Sequence, residues 1–320
     1  METLSSATNE PAPLDLPPVK RAALPVAAIL LLRPKQWAKN LLVFAAFLFT
    51  GSESFSNPHR IAFVLFGFMA MCFASSATYI FNDLADLERD RQHHKKRNRP
   101  LASGAVPKNL GIAMGVGLLA ISLGIAWSMN KTSFSIVLIY LVLQVLYNWK
   151  LKRTPIADVY CIAVGFVLRA ALGAAAITVS ISAWLLFCTG ALALMLGFAK
   201  RRNEFILQGD DRAASRESLV HYTKLSLDAL VIMFATAAAL CYGLYCIEST
   251  TAKKFPALIL TSLFVFYGIT RYVLLVFTAD EGGEPADVLF RDKHIIASVV
   301  LFIAAAAFAV SGYSIPLLER

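Results

Sequence analysis

The sequence predicts an all-α polytopic membrane protein. Apolar residues make up 58% of the 320 residues without counting glycine, whereas soluble domains have roughly 45–50% with glycine included. Charged residues are 16% of the chain and lie in clusters that separate long uncharged stretches. About 20 apolar residues in a helix cross a hydrocarbon core of ~30 Å, and nine stretches approach that length. These observations exclude a water-soluble enzyme and give no reason to expect a nucleic-acid partner.

The predicted elements follow one another in a single domain. Residues 1–24 are proline-rich and predict a disordered cytoplasmic tail, ending in an interfacial helix over 22–32. Residues 25–320 form one transmembrane domain. The first span is the shortest and needs Pro34 as its first helical residue. The nine spans are predicted at 34–50, 61–81, 109–128, 132–148, 156–176, 181–200, 226–248, 256–277 and 294–316.

The distribution of Lys and Arg predicts the orientation in the cytoplasmic membrane. Twenty-three of the 30 basic residues lie in the tail and the even-numbered loops, and five lie on the other side. The positive-inside rule therefore places the amino terminus in the cytoplasm and the carboxyl terminus outside. Most acidic residues share the cytoplasmic side, which predicts an active site facing the cytoplasm.

The end of the second span carries the strongest motif. Asp83, Asp86 and Asp90 stand at i, i+3 and i+7, so on a continuing helix they line one face. Mg²⁺ would remove their mutual repulsion, because it is usually held by one or two carboxylates together with substrate phosphates. The motif predicts Asp83, Asp86 and Asp90 as metal residues, with Asp83 and Asp86 holding the ion and with Asn82 and Asp90 assisting. A solvated helix end with chance acidity is the alternative.

Basic runs surround this motif. Arg97 and Arg99 follow it directly and are candidates to bind a diphosphate together with the metal. Topogenic charge or attraction to anionic membrane lipids is the alternative for this run. Similar mixtures of basic and polar residues open the first span and follow spans four and six. For these runs the alternative is that Lys and Arg side chains at helix ends extend to the membrane surface. The runs contain the candidates Lys35, Lys39, Asn40, Tyr147, Lys152, Lys200, Arg201 and Glu204.

Two ionisable residues fall inside the fifth span. Asp158 and Arg169 are eleven residues apart and share a helix face at ~100° per residue. An arginine within a span points to a polar cavity or to a partner. A structural ion pair with a neighbouring helix remains the alternative.

These motifs together resemble the UbiA superfamily of intramembrane prenyltransferases. The resemblance rests first on Asn82-Asp-x-x-Asp86-x-x-x-Asp90 followed by Arg97-x-Arg99-Pro100, and it extends from about residue 25 to the end. It implies a helical bundle around a polar cavity open to the cytoplasm. Four further motifs resemble the phosphoribosyltransferase branch: Arg33-Pro-Lys-Gln-Trp-x-Lys-Asn40, Lys200-Arg-x-x-Glu204, Ser218 to Thr223 with Tyr222, and Glu284-Pro-x-x-Val-Leu-x-Arg-Asp292.

The branch implies Mg²⁺-dependent transfer of 5-phosphoribose from phosphoribosyl pyrophosphate to a polyprenyl phosphate for cell-envelope arabinose supply. Superfamily members with isoprenyl diphosphate donors carry a second Asp-x-x-x-Asp motif, where this chain has Lys200 to Glu204. On this reading Lys39, Arg97, Arg99, Lys200 and Arg201 bind phosphates. The sugar and polar wall would involve Asn40, Tyr147, Lys152, Asp158, Arg169, Glu204 and Tyr222.

Two other functions are considered. The first is a prenyltransferase that joins an isoprenyl diphosphate to an aromatic or other acceptor, and the missing second Asp pair counts against it. The second is a transporter or lipid-binding protein, which predicts broken helices in matching halves that the sequence does not show. The sequence leaves the oligomeric state open, with a homo-oligomer among the alternatives.

Overall fold

The computed structural model describes residues 22–93, 96–208, 217–278 and 291–311, and these residues contain helices and no strand. Short 3₁₀ helices occupy Pro34–Phe44, Lys96–Asn98, Leu151–Arg153, Glu217–His221 and Pro256–Leu260. The α-helices are α1 (Leu24–Leu31), α2 (Ala45–Leu48), α3 (Ser52–Phe55), α4 (Pro58–Ala85), α5 (Leu87–Gln92), α6 (Lys108–Met129), α7 (Lys131–Trp149), α8 (Ala157–Ala176), α9 (Ala183–Gln208), α10 (Lys224–Glu248), α11 (Thr250–Lys254), α12 (Thr261–Thr278) and α13 (Lys293–Val310).

Local capping explains where several long helices begin. The Asn57 side chain accepts from two backbone N–H groups at the start of α4, where Pro58 takes the first position. Thr223 and Ser226 form a reciprocal capping box at the start of α10. Asp292 accepts from the Ile295 backbone N–H and caps α13. Each cap satisfies backbone donors that the helix itself leaves unpaired.

Helix α8 lies between two halves of the bundle. On one side it packs against α4, α7 and the 3₁₀ helix Pro34–Phe44, and on the other side against α9. Helices α4, α6 and α7 pack together in the first half, while α9, α10, α12 and α13 form the second. Because α8 carries both Asp158 and Arg169, its polar side chains are placed where the two halves meet.

The predicted first span has an unexpected conformation. It consists of an 11-residue 3₁₀ helix followed by the four residues of α2, which extend about 28 Å at rises of about 2.0 and 1.5 Å per residue. The segment runs alongside α4, from Arg33 at the Asp83 end to Gly51, which lies beside the Val310 carbonyl at the end of α13.

A close backbone contact fixes the 3₁₀ helix on α8. A Cβ atom on Gly173 would lie only 1.8 Å from the carbonyl oxygen of Val43. Only glycine permits this approach, because any side chain would meet the backbone of the crossing segment.

Eight helices are long and apolar enough to cross a membrane, and they agree with the predicted spans two to nine. The prediction of about nine spans is not confirmed as a count, since the segment 34–50 is not a long α-helix. The all-α membrane fold is confirmed. The prediction for residues 1–21 lies outside the described residues.

Candidate functional site

The acidic motif lies at a break in the helix rather than on a continuing one. Helix α4 ends at Ala85, Asp86 adopts φ −94° and ψ 9°, and α5 begins at Leu87. The three aspartates therefore do not lie on one continuous helix as expected, although Asp83 and Asp90 still share a partner. Asp83 and Asp90 are buried, whereas Asp86 is partly exposed.

Asp83 and Asp90 converge on one arginine. The Arg99 Nη1 atom donates to Asp83 Oδ1 at 3.0 Å and to Asp90 Oδ2 at 2.6 Å. The two carboxylates are only 3% and 2% exposed. Charge-assisted hydrogen bonds of this kind compensate for the desolvation of buried carboxylates. Arg99 thus occupies the position that a cation shared by the two aspartates would take.

A second arginine, Arg33, reaches the same carboxylate from a different element. Its Nη2 atom donates to Asp83 Oδ1 at 2.6 Å, and its guanidinium lies 4.8 Å from the centre of the Tyr79 ring. The Arg33 backbone is left-handed, with φ 54° and ψ 57°. Neither Arg33 nor Tyr79 was predicted as a site residue, although Arg33 begins one of the sequence motifs.

Ser76 on α4 holds the turn that contains Arg33. The Ser76 hydroxyl donates to the Leu32 carbonyl at 2.7 Å and accepts from Trp37 Nε1 at 3.0 Å. Residues on both sides of Arg33 are therefore fixed to the same helix that carries Asp83. This explains how a residue 50 positions before Asp83 reaches it.

Arg97 lies in the same loop as Arg99, and two of its side-chain nitrogen atoms lack hydrogen-bond partners among the described residues. These atoms, Nε and Nη1, are buried. Buried donors without partners cost free energy. An anion bound beside Arg99 would satisfy them, which supports the predicted role of Arg97 in binding phosphate.

Asp86 has different neighbours from the other two aspartates. It lies 3.8 Å from Lys152 Nζ and 3.7 Å from Arg89 Nη1. It also lines a separate cavity of about 340 Å³ with Arg89 and Lys108. Lys152 is therefore brought to the edge of the acidic motif, as the sequence predicted for a site residue.

A second cluster joins α8 to α9. Asp158 Oδ2 accepts from Arg201 Nε at 2.9 Å and from Ser218 Oγ at 3.4 Å. Arg201 Nη1 also donates to Glu204. Asp158 and Arg201 are 0% and 2% exposed. Asp158 thus forms the ion pair with a neighbouring helix that the sequence analysis left open.

Tyr222 fixes the start of the helix that carries Asp158. Its hydroxyl accepts from the Ile156 backbone N–H at 2.5 Å, and Ile156 has a positive φ of 67°. A β-branched residue rarely adopts this conformation. The contact indicates that Tyr222 acts on the backbone of α8.

Arg169 is buried deep in the bundle among neutral acceptors. It donates to Asn40 Oδ1 at 2.7 Å, to the Gly165 carbonyl at 2.7 Å and to Tyr140 Oη at 3.2 Å. Asn40 in turn donates to Ser75 Oγ at 3.3 Å. Asp158 and Arg169 therefore have separate partners, although they lie on the same helix.

The remaining predicted residues occupy the surroundings of these clusters. Tyr147 is partly buried near the end of α7. Asn82 is partly buried next to Asp83, and Lys200 is partly buried next to Arg201. Lys35 and Lys39 are exposed on the 3₁₀ helix.

Asp83, Asp90, Arg33 and Arg99 form what we call the Asp83 cluster. The number of its carboxylates is low for a metal site made of protein groups alone, but it is sufficient for one completed by phosphates. The described residues contain no group of three or more His, Cys, Asp or Glu side chains placed to hold a metal. However, Mg²⁺ needs only one or two protein carboxylates when phosphates and water complete its shell. Asp83 and Asp90 could supply these oxygens if Arg99 turned to another anion.

Comparison with known proteins gives the family of the chain. The model of the UbiA prenyltransferase family matches residues 40–291. The chain is 34% identical to decaprenyl-phosphate phosphoribosyltransferase of Corynebacterium glutamicum, over 87% of this chain and 85% of that protein. It is 33% identical to the Mycobacterium tuberculosis protein of the same name, over 92% and 97% of the two chains.

A solved structure has the same fold. A UbiA homolog from Archaeoglobus fulgidus, bound to DMAPP and Mg²⁺, superimposes with a TM-score of 0.67 at 18% identity, covering 89% of this chain and 98% of that one. The family match covers most of the chain, and the long apolar helices are those of a membrane protein. The chain therefore belongs to the UbiA prenyltransferase family and is an integral membrane transferase.

Proposed function

We propose that the protein transfers 5-phosphoribose from phosphoribosyl pyrophosphate to a polyprenyl phosphate of the decaprenyl type and releases pyrophosphate. The observation that carries this proposal is the 33–34% identity to decaprenyl-phosphate phosphoribosyltransferases over most of both chains. We further propose that the product supplies arabinose donors for the cell envelope and that the site faces the cytoplasm.

The Asp83 cluster is the proposed donor site. Asp83 and Asp90 would hold Mg²⁺, which neutralises charge on the departing pyrophosphate. Asn82 and Asp86 lie next to these ligands along the chain and would assist through water. Arg99 and Arg97 would bind the pyrophosphate oxygens, because Arg99 already lies between the two carboxylates and Arg97 has buried donors to offer.

The proposed reaction breaks the bond between ribose C1 and the pyrophosphate oxygen. The bonding electron pair leaves with pyrophosphate, and an oxygen of the polyprenyl phosphate forms the new bond to C1 from the opposite face. The acceptor oxygen is already ionised at neutral pH, so no general base is required. The task of the protein is therefore to position two anions and stabilise charge.

An apolar cavity is the proposed binding site for the isoprenoid tail of the polyprenyl phosphate. It has a volume of about 400 Å³ and lies between the 3₁₀–α2 segment, α9, α10, α12 and α13. Its lining includes Leu42, Phe49, Leu192, Ile269 and Phe302. An isoprenoid chain can bury apolar surface there while its phosphate stays near the basic residues. The tail and the water-soluble donor would then approach from different directions.

The second cluster supports the choice of donor. Its two carboxylates, Asp158 and Glu204, are both paired with Arg201. A second metal ion would have to displace Arg201, which is only 2% exposed, from both carboxylates. The arrangement is better suited to a polar wall around ribose and its 5-phosphate, with Lys200, Tyr147 and Tyr222 nearby.

Transfer from an isoprenyl diphosphate to an aromatic or other acceptor is the second candidate. The Archaeoglobus fulgidus neighbour with bound DMAPP and Mg²⁺ favours it, but at 18% identity that likeness shows only the fold. The two candidates differ in which bond of which donor breaks, so they can be separated directly.

The test uses purified full-length protein and labelled donors. We expect Mg²⁺-dependent labelling of decaprenyl phosphate by phosphoribosyl pyrophosphate, and loss of product with a chelator. Product formed only from an isoprenyl diphosphate would contradict the proposal and favour the second candidate.

A further inference from the structure

We infer that Arg33 belongs to the reaction site. Arg33 pairs with Asp83 until a divalent cation binds Asp83, and the released Arg33 side chain then binds a substrate phosphate. This inference rests on the proposed use of a divalent cation but not on the identity of the donor. Its basis is the way Arg33 reaches Asp83.

Arg33 and Arg99 use the same oxygen of Asp83. Their nitrogen atoms lie 2.6 and 3.0 Å from Oδ1. Arg99 has a second carboxylate partner, Asp90, whereas Asp83 is the one carboxylate that Arg33 contacts among the described residues. A metal bound at Oδ1 would replace these donors, so Arg33 competes with the metal at that atom.

The position of Arg33 is held by the structure rather than adopted by chance. Its left-handed backbone costs free energy in a residue other than glycine. The hydrogen bonds of Ser76 with Leu32 and Trp37 keep the turn on α4. Strain that the surrounding structure maintains is typical of functional sites.

The Arg33 side chain can also occupy a second position, away from Asp83. It is 25% exposed, and its guanidinium lies over the Tyr79 ring. Released from Asp83, Arg33 can stay over Tyr79 and point to an anion between the two halves of the bundle. Arginine suits this role because its planar donors match phosphate oxygens.

The inference predicts an unusual effect on metal binding. In Arg33→Gln, Mn²⁺ should bind about five to ten times more tightly than in the parent when no phosphate is present, since a competitor has been removed. Arg91→Gln is the matched control: Arg91 is an exposed cation near Asp90 that pairs with Glu88. Its Mn²⁺ affinity should stay within about twofold of the parent.

The measurement is Mn²⁺ titration by electron paramagnetic resonance on full-length protein in detergent, with melting temperatures recorded. Ser76→Ala keeps Arg33 but loosens its turn, and should give a smaller tightening, so the test does not depend on the folding of one variant. Unchanged or weaker Mn²⁺ binding in both variants would overturn the inference alone. A parent that binds no Mn²⁺ would overturn the proposed metal site and this inference together.

Discussion

The cluster around Asp83 and the cluster around Asp158 use the same two side-chain types, but they differ in how firmly they are closed. Arg33 and Arg99 are 25% and 29% exposed and come from loops on either side of α4. Arg201 is 2% exposed and joins two packed helices through Asp158. The first cluster can exchange its cations, whereas the second has its charges satisfied within the bundle.

This difference in exposure suggests that the Asp83 cluster binds ligands and that the Asp158 cluster stabilises the fold. A buried ion pair is costly to break because the remaining charge has no solvent. Partly exposed arginines can turn towards another anion at lower cost. We therefore expect substitutions in the Asp158 cluster to affect folding first, and substitutions in the Asp83 cluster to affect ligand binding and catalysis first.

Asp158→Asn should have the largest effect on stability. It leaves buried Arg201 without its helix–helix partner, which should cost about 3–5 kcal/mol. Melting temperature and monodispersity in detergent check this, with Ser218→Ala as the control, since its hydrogen bond to Asp158 is long at 3.4 Å. An Asp158→Asn protein as stable as the parent would mean that the second cluster is not closed.

Asp83→Asn should lower kcat/KM by about 100- to 1000-fold, because a ligand that stabilises leaving-group charge is lost. Its melting temperature should fall less than that of Asp158→Asn, since Arg33 and Arg99 can be solvated. Glu88→Gln, on the exposed side of α5, should keep parental activity. Full activity of Asp83→Asn would remove the metal assignment.

Arg97→Gln should raise the KM for the donor about tenfold with a small change in kcat, since a charge-assisted hydrogen bond contributes about 1.5–3 kcal/mol. Stability without ligand should not fall, because the Nε and Nη1 donors of Arg97 have no hydrogen-bond partner in the part of the chain that the structure describes. Steady-state kinetics and melting curves check both. A loss of stability with unchanged KM would show that Arg97 is structural.

Asp292→Asn should have the smallest effect and serves as a reference for a partly exposed pair away from the two clusters. The hydrogen bond from Arg271 lowers the pKa of Asp292 from 3.8 to about 2. A lowered pKa in the folded state stabilises the protein above the unfolded pKa, and this contribution is lost as pH falls. The difference in melting temperature from the parent should be constant from neutral pH to about 5 and shrink towards pH 2.

Much of the fold follows from local patterns in the sequence. The predicted spans 109–128 and 132–148 match Lys108–Met129 and Lys131–Trp149 within one residue at each end. The 3₁₀ conformation of Pro34–Phe44 was not predicted, because an apolar stretch of this length has the same composition in either helix type. Its backbone packs at Val43 against Gly173, which lies far away in the sequence, so local patterns do not contain this contact.

The chemistry of the site was easier to predict than its geometry. The acidic and basic motifs contain Asp83, Asp90 and Arg99, which lie in short local runs and are in contact in the structure. The helix break at Asp86 was not predicted, because no Gly or Pro lies near it in the sequence. The pairs Arg33–Asp83 and Asp158–Arg201 are separated by 50 and 43 residues, so they depend on tertiary packing that local patterns do not contain.

The most direct test is to detect phosphorus next to a metal bound at Asp83. Pulsed electron paramagnetic resonance of full-length protein with Mn²⁺ and phosphoribosyl pyrophosphate should show coupling to ³¹P. The account predicts that this protein-bound signal is lost in Asp83→Asn but kept in whatever fraction of Asp158→Asn remains folded. An undiminished signal in Asp83→Asn would contradict it.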